Sequence, residues 1–276
     1  MIEAFAPAKI NLTLHVTGRR DNGYHELDSL VVFADIGDRI EIDLAETPEL
    51  TVQGPMAGGV PEGDDNLVMR AARLMGLDAR IRLQKFLPNA AGLGGGSSDA
   101  AAVLKALSEL SGRPLPDDAL SLGADVPVCL EARAARMRGI GEQITPVAGL
   151  PTLHAVLINP AAAVPTKEVF ARMETSANPP MPDDLPLLTD PGDAVAWLRT
   201  MRNDLEAPAQ SLQPLIGQVL ETLSATPGCQ LARMSGSGAT CFGIYFGAET
   251  AASAAGRLRE GFPGWWVAAT RLNAAS

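Results

Sequence analysis

The fold of this chain is decided by the glycine-rich stretch Pro88-Asn89-Ala90-Ala91-Gly92-Leu93-Gly94-Gly95-Gly96-Ser97-Ser98-Asp99-Ala100-Ala101. Glycine adopts positive φ at little cost and lets a ligand approach the backbone, so this loop offers several open N–H groups. After Ser98 the apolar residues recur with a helical period as far as Leu110, and Gly112 ends the pattern. Because a helix N-terminus directs unpaired amides and positive charge at one point, the stretch predicts a phosphate-binding loop.

Three better-known glycine motifs do not fit this loop. A P-loop has lysine after its last glycine, whereas Gly96 is followed by Ser97. The dinucleotide motif needs a third glycine where Ser97 stands, and a hydrolase elbow needs glycine two residues on each side of its serine. The remaining alternative is a mobile turn before an ordinary helix. In either case Ser97, Ser98 and Asp99 are the expected N-cap residues.

Composition excludes several classes of protein. The 276 residues are 46% hydrophobic and 20% charged, which is typical of a soluble protein with two modest domains or one large one. A net charge of −10 argues against a nucleic-acid partner, because such binding neutralises phosphates with basic residues. The three cysteines lack the spacing of a disulfide framework. With neither a signal peptide nor an apolar run of about 20 residues, we expect a cytoplasmic protein without a membrane partner.

Two charged residues stand in apolar surroundings. Lys9 lies within Ala6–Leu12, and Asp125 is the one acid of residues 122–130. A buried charge costs free energy unless an opposite charge or water attends it, so each residue requires a partner. The alternatives are a lysine that reaches solvent, and an aspartate that is either an N-cap before Val126-Pro127 or a turn residue.

A turn-rich segment over residues 18–27 presents Tyr24 and His25 where the loop ends. A tyrosine ring can stack on a nucleobase, and a histidine can both donate to the base edge and accept from it. The alternative is an ordinary hairpin tip. Lys85 is the last residue of a predicted strand and either reaches a nucleotide or is a solvated residue at the strand end.

Periodicity predicts the remaining elements, with Glu174 to Gly192 read as a surface connection rich in Pro and Asp. Helices are expected after Asn66, Ser98, Pro165 and Asn203 and over residues 212–223 and 250–260. Strands are expected over residues 2–6, 10–16, 28–34, 39–44, 79–85, 136–141, 142–147, 153–159 and 265–272.

Three segments resemble, in order, the motifs of the GHMP small-molecule kinases: Pro7–Leu12, the glycine loop, and the second glycine segment over residues 234–243. The stretch Leu-Gly-Ala-Asp-Val-Pro resembles the one that carries the family's catalytic aspartate. Gly23-Tyr24-His25 and Gly-Gly-Gly-Ser-Ser resemble the members that act on a cytidine diphosphate derivative in non-mevalonate isoprenoid synthesis. Residues 112–121 form a shorter segment than those members have.

The resemblance implies an α+β, two-domain GHMP kinase fold. Residues 1–150 would form an N-terminal ATP-binding domain and residues 151–276 a ferredoxin-like C-terminal substrate domain, with the substrate between them. The implied reaction is phosphorylation of an alcohol, with ATP as phosphoryl donor and Mg²⁺ as its metal, in a monomer or weak homodimer. The rivals are a GHMP kinase for homoserine, mevalonate or a sugar, and a nucleotide-binding module without catalysis.

The resemblance also assigns roles to single residues. Lys9 and Asp125 are expected to be catalytic, and Ser98 to be a possible Mg²⁺ ligand with Ser97 as the alternative. The expected ATP-binding residues are Pro88, Ala91, Gly92, Leu93, Gly94, Gly95, Gly96, Ser97, Ser98 and Lys85. The expected substrate-binding residues are Asn11, Tyr24, His25, Thr166, Phe170, Gly236 and Gly238.

Overall fold

The computed structural model describes residues 1–274, and within them the chain forms strands, α-helices and one 3₁₀ turn. The strands are β1 (Ile2–Asn11), β2 (His15–Arg19), β3 (His25–Leu44), β4 (Glu49–Gln53), β5 (Ala79–Gln84), β6 (Ala135–Gly139), β7 (Gln143–Pro146), β8 (Leu153–Asn159), β9 (Cys229–Met234), β10 (Cys241–Tyr245) and β11 (Trp266–Leu272). The helices are α1 (Leu67–Leu74), α2 (Gly95–Ser111), α3 (Val126–Glu131), α4 (Thr166–Ala171), α5 (Pro191–Thr200), α6 (Glu206–Leu212), α7 (Leu215–Ser224) and α8 (Ala248–Gly261), and the 3₁₀ turn is Ala119–Leu122.

The chain divides into two compact units, each built from separate segments. The first unit comprises Met1–Lys9, Ile36–Asn89 and Gly94–Ala132. The second comprises Ile10–Asp35, Ala90–Leu93 and the chain from Arg133 onward. The glycine loop therefore passes from the first unit to the second and back. The predicted assignment of ATP to residues 1–150 and of substrate to residues 151–276 concerns function and stays a prediction.

In the first unit, β5 lies between β4 and the second half of β3. It runs parallel to β4 and antiparallel to β3, where Ile81 faces Ile42. Alternate residues of β5 are buried, as expected of a strand with one face in the core. Helix α2 packs against α1 and α3, and its buried side includes Leu104 and Leu107. The helical period read after Ser98 is confirmed by this burial.

The second unit contains a four-stranded antiparallel sheet in the order β11-β8-β10-β9. In β8, one of the two inner strands, Leu157 pairs with Phe242 of β10 on one side and with Ala268 of β11 on the other. Helices α4 to α7 connect β8 to β9, and α8 connects β10 to β11. Strands and helices in this order form the ferredoxin-like arrangement that was predicted for this part of the chain. The first part of β3 pairs with β2 and β6, and its Ala34 pairs with Leu272 of β11.

Several predicted elements are confirmed, although their bounds shift by a few residues. Helix α1 begins after Asn66, whose side chain accepts from the Val68 N–H. Strand β8 and helices α4 and α8 form where the sequence predicted them. Within residues 1–274, no helix has both the length and the apolar composition needed to cross a lipid bilayer.

Other predictions are wrong for identifiable reasons. Residues 28–34 and 39–44 belong to one continuous strand, because Gly37 is extended and a side chain there would collide with the Ala6 carbonyl. The N-cap of α2 is Gly94, in the left-handed conformation, and neither the two serines nor Asp99. The connection over residues 174–192 is not confined to the surface, since Met181 and Leu188 are buried in it. Pro214 separates α6 from α7, and β4, α5 and β9 were not predicted.

Candidate active site

A lysine and an aspartate from distant parts of the first unit form an ion pair. Lys9 Nζ donates to Asp125 Oδ2 over 2.8 Å. The Lys9 side chain is buried, whereas about a third of the Asp125 side chain, 32%, is exposed. Asp125 stands at the N-cap position of α3, yet its carboxylate makes no capping bond. Each residue therefore has the partner that was expected for it, and the Asp125 side chain does not cap α3.

Gly94 places the start of α2 against this ion pair. Its φ is 62°, and a Cβ there would lie 3.2 Å from two carbons of Lys9 and 3.7 Å from Asp125 Oδ2. A glycine thus permits the loop to approach the pair closely. The first-turn amides of α2 have no intrahelical acceptor and carry the positive end of the helix dipole. Gly94 therefore brings the N-terminal end of α2 beside a lysine and a carboxylate that is about one-third exposed.

The two serines of the loop have different surroundings. Ser98 is buried, and its hydroxyl donates to the Pro7 carbonyl over 2.8 Å. Ser97 is partly exposed, and its Oγ lies 3.6 Å from the position of a Cβ at Gly123. Ser98 thus ties α2 to β1, while Ser97 has the more accessible hydroxyl.

Lys85 is buried and belongs to a cluster of charges. Its ammonium donates to Asp38 Oδ2, and to Asp99 Oδ2 over 2.7 Å. Asp38 Oδ1 also accepts from the N–H groups of Phe86 and Leu87, at 2.6 and 2.9 Å. The solvated alternative for Lys85 is excluded by this burial. The predicted contact between Lys85 and ATP has no support in this geometry, because both carboxylates already hold the ammonium.

Burial and charge shift the pKa values of this cluster. Burial opposes the charge of Lys85, but the charges of Asp99 and Asp38 outweigh it, and the pKa of Lys85 is raised. Burial raises the pKa of Asp99 to about 7, with Lys85 opposing the rise and Asp38 adding to it. The pKa of Lys85 is therefore raised by its two carboxylate partners, whereas the pKa of Asp99 is raised mainly by burial.

In the second unit the two glycine loops touch. Gly92 has a φ of 72°, and any side chain there would collide with the Ser235 carbonyl. The Ser235 hydroxyl donates to the Gly92 carbonyl over 2.9 Å and accepts from the Asn11 N–H over 3.1 Å. The Thr240 N–H donates to the Ala91 carbonyl over 3.2 Å. These contacts join Asn11 and residues 90–93 to the second glycine segment.

Asn11 keeps one buried atom free. Its Nδ2 donates to Ser29 Oγ over 2.8 Å, whereas its Oδ1 has no partner among the described residues. That oxygen lies 3.4 Å from the position of a Cβ at Gly236. A buried acceptor without a partner costs free energy, which a ligand hydroxyl or a water could restore.

The predicted base-recognition residues lie on the hairpin between β2 and β3. Tyr24 is 60% exposed. The His25 ring stacks on Phe170, with centroids 4.5 Å apart and planes 17° from parallel. Burial, and then the charge of Arg19, lower the pKa of His25. A neutral imidazole at pH 7 can both donate and accept a hydrogen bond.

The other predicted residues divide between packing and loop positions. Pro88, Ala91 and Leu93 are buried, so their side chains pack into the protein and are not exposed on the loop. Thr166 Oγ1 lies 2.7 Å from Ser237 Oγ, which joins the start of α4 to the second glycine segment. Gly238 has a φ of 88° within that segment. Contacts of these residues with ATP or substrate stay predictions.

Three residues of this region have contacts that were not predicted from the sequence. Asp38 was placed in a break between strands, Asp99 was read as a helix cap, and Ser235 was given no role. A signal existed for the first two, because Lys85 is followed by the apolar residues Phe86 and Leu87, and a lysine buried with them needs an anionic partner. Their positions, 47 and 14 residues away from Lys85, could not be read from local periodicity.

Comparison with known proteins places this geometry in a family. The GHMP kinases N terminal domain matches residues 66–133, and the GHMP kinases C terminal domain matches residues 185–264. A 4-diphosphocytidyl-2-C-methyl-D-erythritol kinase of Dinoroseobacter shibae is 57% identical over 272 residues, which cover 98% of this chain and 95% of the relative. A relative of the same name in Cereibacter sphaeroides is 57% identical over 276 residues, with 99% of both chains covered.

A solved structure is similar over the same range. The crystal structure of a 4-(cytidine 5'-diphospho)-2C-methyl-D-erythritol kinase matches with a TM-score of 0.80 at 37% sequence identity. The match covers 99% of this chain and 100% of that chain. The predicted α+β fold with two GHMP domains is confirmed by these comparisons.

Proposed function

Because this chain belongs to the GHMP kinase family, among the 4-diphosphocytidyl-2-C-methyl-D-erythritol kinases, we propose that it phosphorylates the C2 hydroxyl of that cytidine diphosphate derivative. The chain is a small-molecule kinase, and ATP is its phosphoryl donor. The products would be the 2-phosphate and ADP, in the non-mevalonate supply of isoprenoid precursors. The observation that carries the proposal is the Lys9–Asp125 ion pair beside the first turn of α2.

Asp125 is the proposed acceptor of the hydroxyl proton. Its carboxylate is partly exposed, and one oxygen is fixed by the charge-assisted bond from Lys9. Lys9 would orient that carboxylate and offset the negative charge that develops on the transferred group. Phosphoryl transfer depends mainly on positioning and charge stabilisation, and a positioned base contributes about 10²–10⁴-fold.

The first-turn amides of α2 are the proposed cradle for the ATP phosphates. Mg²⁺ in such sites takes one or two protein oxygens, with phosphates and water completing its octahedron. Among the described residues, no three His, Cys, Asp or Glu side chains form a metal cluster. The Ser97 hydroxyl and the Asp125 carboxylate are accessible oxygen ligands for Mg²⁺. The Ser98 hydroxyl is a poorer ligand because it is buried and donates to the Pro7 carbonyl. When bound, Mg²⁺ would neutralise charge on the phosphates.

The acceptor would be recognised by residues of the second unit. The exposed Tyr24 ring is the proposed stacking surface for cytosine, and His25, held by Phe170, would read the base edge. The unpaired Oδ1 of Asn11 would accept from a substrate hydroxyl. We expect the kinase to act as a monomer or weak homodimer, without a nucleic-acid or membrane partner.

The test is ADP release from the purified protein with ATP and Mg²⁺. The acceptors are 4-diphosphocytidyl-2-C-methyl-D-erythritol, homoserine, mevalonate and galactose, each assayed separately. We expect turnover only with the cytidine derivative. Turnover with homoserine, mevalonate or galactose instead would reassign the substrate, and ATP binding without turnover of any acceptor would indicate a nucleotide-binding module.

A further inference from the structure

The buried charges around Lys85 join both ends of the phosphate-binding loop. We call Asp38, Lys85 and Asp99 the loop clamp. Lys85 precedes the loop and Asp99 follows it, so the bond between Lys85 Nζ and Asp99 Oδ2 closes residues 86–98 into a ring. Asp38 adds the bonds from the amides of Phe86 and Leu87, which open the loop. All three side chains of the clamp are at most 4% exposed.

The loop clamp also lies against the first turn of α2. A Cβ at Gly95 would stand 3.6 Å from Lys85 Nζ and 3.8 Å from Asp38 Oδ2. Gly95 supplies one of the amides that have no acceptor within the helix. A displacement of the loop clamp would therefore move the first-turn amides of α2, which are the proposed cradle for the ATP phosphates.

Stability alone does not account for three buried charges. Two carboxylates and one ammonium lose hydration on burial, and well-packed apolar side chains of similar volume are often as stabilising. Asp99 Oδ1 even lacks a partner among the described residues. Charge-assisted hydrogen bonds differ from apolar contacts because they fix distance and direction.

We propose that the loop clamp positions the phosphate-binding loop and that Asp99 is a positioning residue for ATP. The proposal rests on the proposed kinase function and adds a group that acts on ATP through the loop. The alternative is that Lys85 itself contacts ATP. In that case Asp38 and Asp99 would compete with ATP for the Lys85 ammonium. The two views differ in what happens when Asp99 is truncated.

The experiment compares Asp99→Ala and Asp99→Asn in the full chain. Truncation frees the far end of the loop, whereas the asparagine amide oxygen still accepts from Lys85. We expect Asp99→Ala to raise the Kd for ATP, measured by titration without acceptor, and the KM for ATP at least about 10-fold. kcat should stay within about threefold, and Asp99→Asn should bind ATP within about threefold of the parent protein.

Controls separate positioning from general destabilisation. Asp28→Asn removes another buried acid, which pairs with Arg136 in the second unit, and should lower Tm while leaving the Kd for ATP unchanged. If Asp99→Ala does not fold, Asp99→Ser serves as the truncation. A truncated variant with lower Tm but unchanged or tighter ATP binding would overturn the proposal. Because the Kd for ATP is measured without acceptor, this test does not depend on which acceptor the kinase phosphorylates.

Discussion

The two buried lysines of the first unit differ in what surrounds them. Lys9 has one carboxylate partner, and that partner is partly exposed. Lys85 has two carboxylate partners, and both are enclosed. An enclosed ammonium cannot reach a ligand without leaving its partners, whereas Asp125 remains accessible beside Lys9. Burial of the partner therefore separates a candidate catalytic pair from a candidate positioning cluster.

Tyr24 provides a prediction at the residue scale. Its ring is exposed at the hairpin, and stacking of a base on an aromatic ring contributes about 1–3 kcal/mol. We expect Tyr24→Ala to raise the KM for the cytidine acceptor at least about fivefold, with the KM for ATP unchanged. Tyr24→Phe keeps the ring and should stay within about twofold. If Phe is as harmful as Ala in steady-state assays, the hydroxyl and not the ring recognises the substrate.

The two glycine segments are positioned by contacts between elements. Residues 90–93 and the segment after β9 meet through Ser235 and Thr240, so the shape of one loop depends on the other. Gly92 lies at the closest approach, with a positive φ and the Ser235 carbonyl where a side chain would stand. Both conditions exclude a larger residue.

Gly92→Ala tests this contact. A strained φ and a backbone collision should lower Tm by about 5 °C or more, since about 1 kcal/mol corresponds to roughly 2–4 °C in a chain of this size. Gly58→Ala is the matched control, because the backbone there is unstrained and no atom lies within 4 Å of the added Cβ. Thermal unfolding followed by circular dichroism measures both variants. Equal Tm values for the two would show that the loops can separate without cost.

The whole molecule carries a net charge of −10, and two of its acids, the buried Asp99 and the partly buried Glu206, respond to pH in the same direction. Burial raises the pKa of Asp99 to about 7, and burial also raises the pKa of Glu206. In the unfolded chain such acids lose their protons near pH 4. Between that pH and their folded pKa values, the folded protein holds protons that the unfolded chain has lost. The contribution of Asp99 to the free energy of unfolding therefore falls as pH rises from about 4 to about 7, and the contribution of Glu206 falls in the same direction.

Asp99→Asn should remove the largest part of this pH dependence. Lys85 and Asp38 are the charged groups that face Asp99, and both remain in the variant. We expect the Tm of Asp99→Asn relative to the parent to increase between pH 5 and pH 8, by an amount equivalent to at least about 1 kcal/mol. Differential scanning calorimetry at both values measures it. A constant difference would mean that Asp99 has the same charge in the folded and unfolded protein.

The sequence predicts the parts of this molecule that depend on local pattern. Strand alternation predicted β5, and Asn66 predicted the start of α1. The lone lysine and the lone acid each predicted a partner, and in the fold they form the Lys9–Asp125 pair. Residues 35–38 were left outside both predicted strands, although Gly37 lies against Ala6 and Pro7 of β1, which are distant in the chain.

Non-local packing accounts for the remaining errors. Gly94 replaces the serines as the N-cap of α2 because the loop must approach Lys9, a contact that no local propensity contains. Lys85 was left between two alternatives because its partners lie on another strand and on the next helix. The sequence indicated that a buried Lys85 would need an anionic partner, but Asp38 and Asp99 could be identified only from the fold.

The most direct test of the catalytic pair is the single-turnover rate of phosphoryl transfer in Asp125→Asn, with ATP, Mg²⁺ and 4-diphosphocytidyl-2-C-methyl-D-erythritol. The amide keeps the size of the side chain but cannot accept the hydroxyl proton. We expect a rate at least about 100-fold lower, with the Kd for ATP within threefold of the parent. Asp118→Asn, at an exposed acid whose side chain makes no capping bond, is the matched control and should leave both values unchanged. A rate for Asp125→Asn within about fivefold of the parent would contradict the assignment of Asp125 as the base.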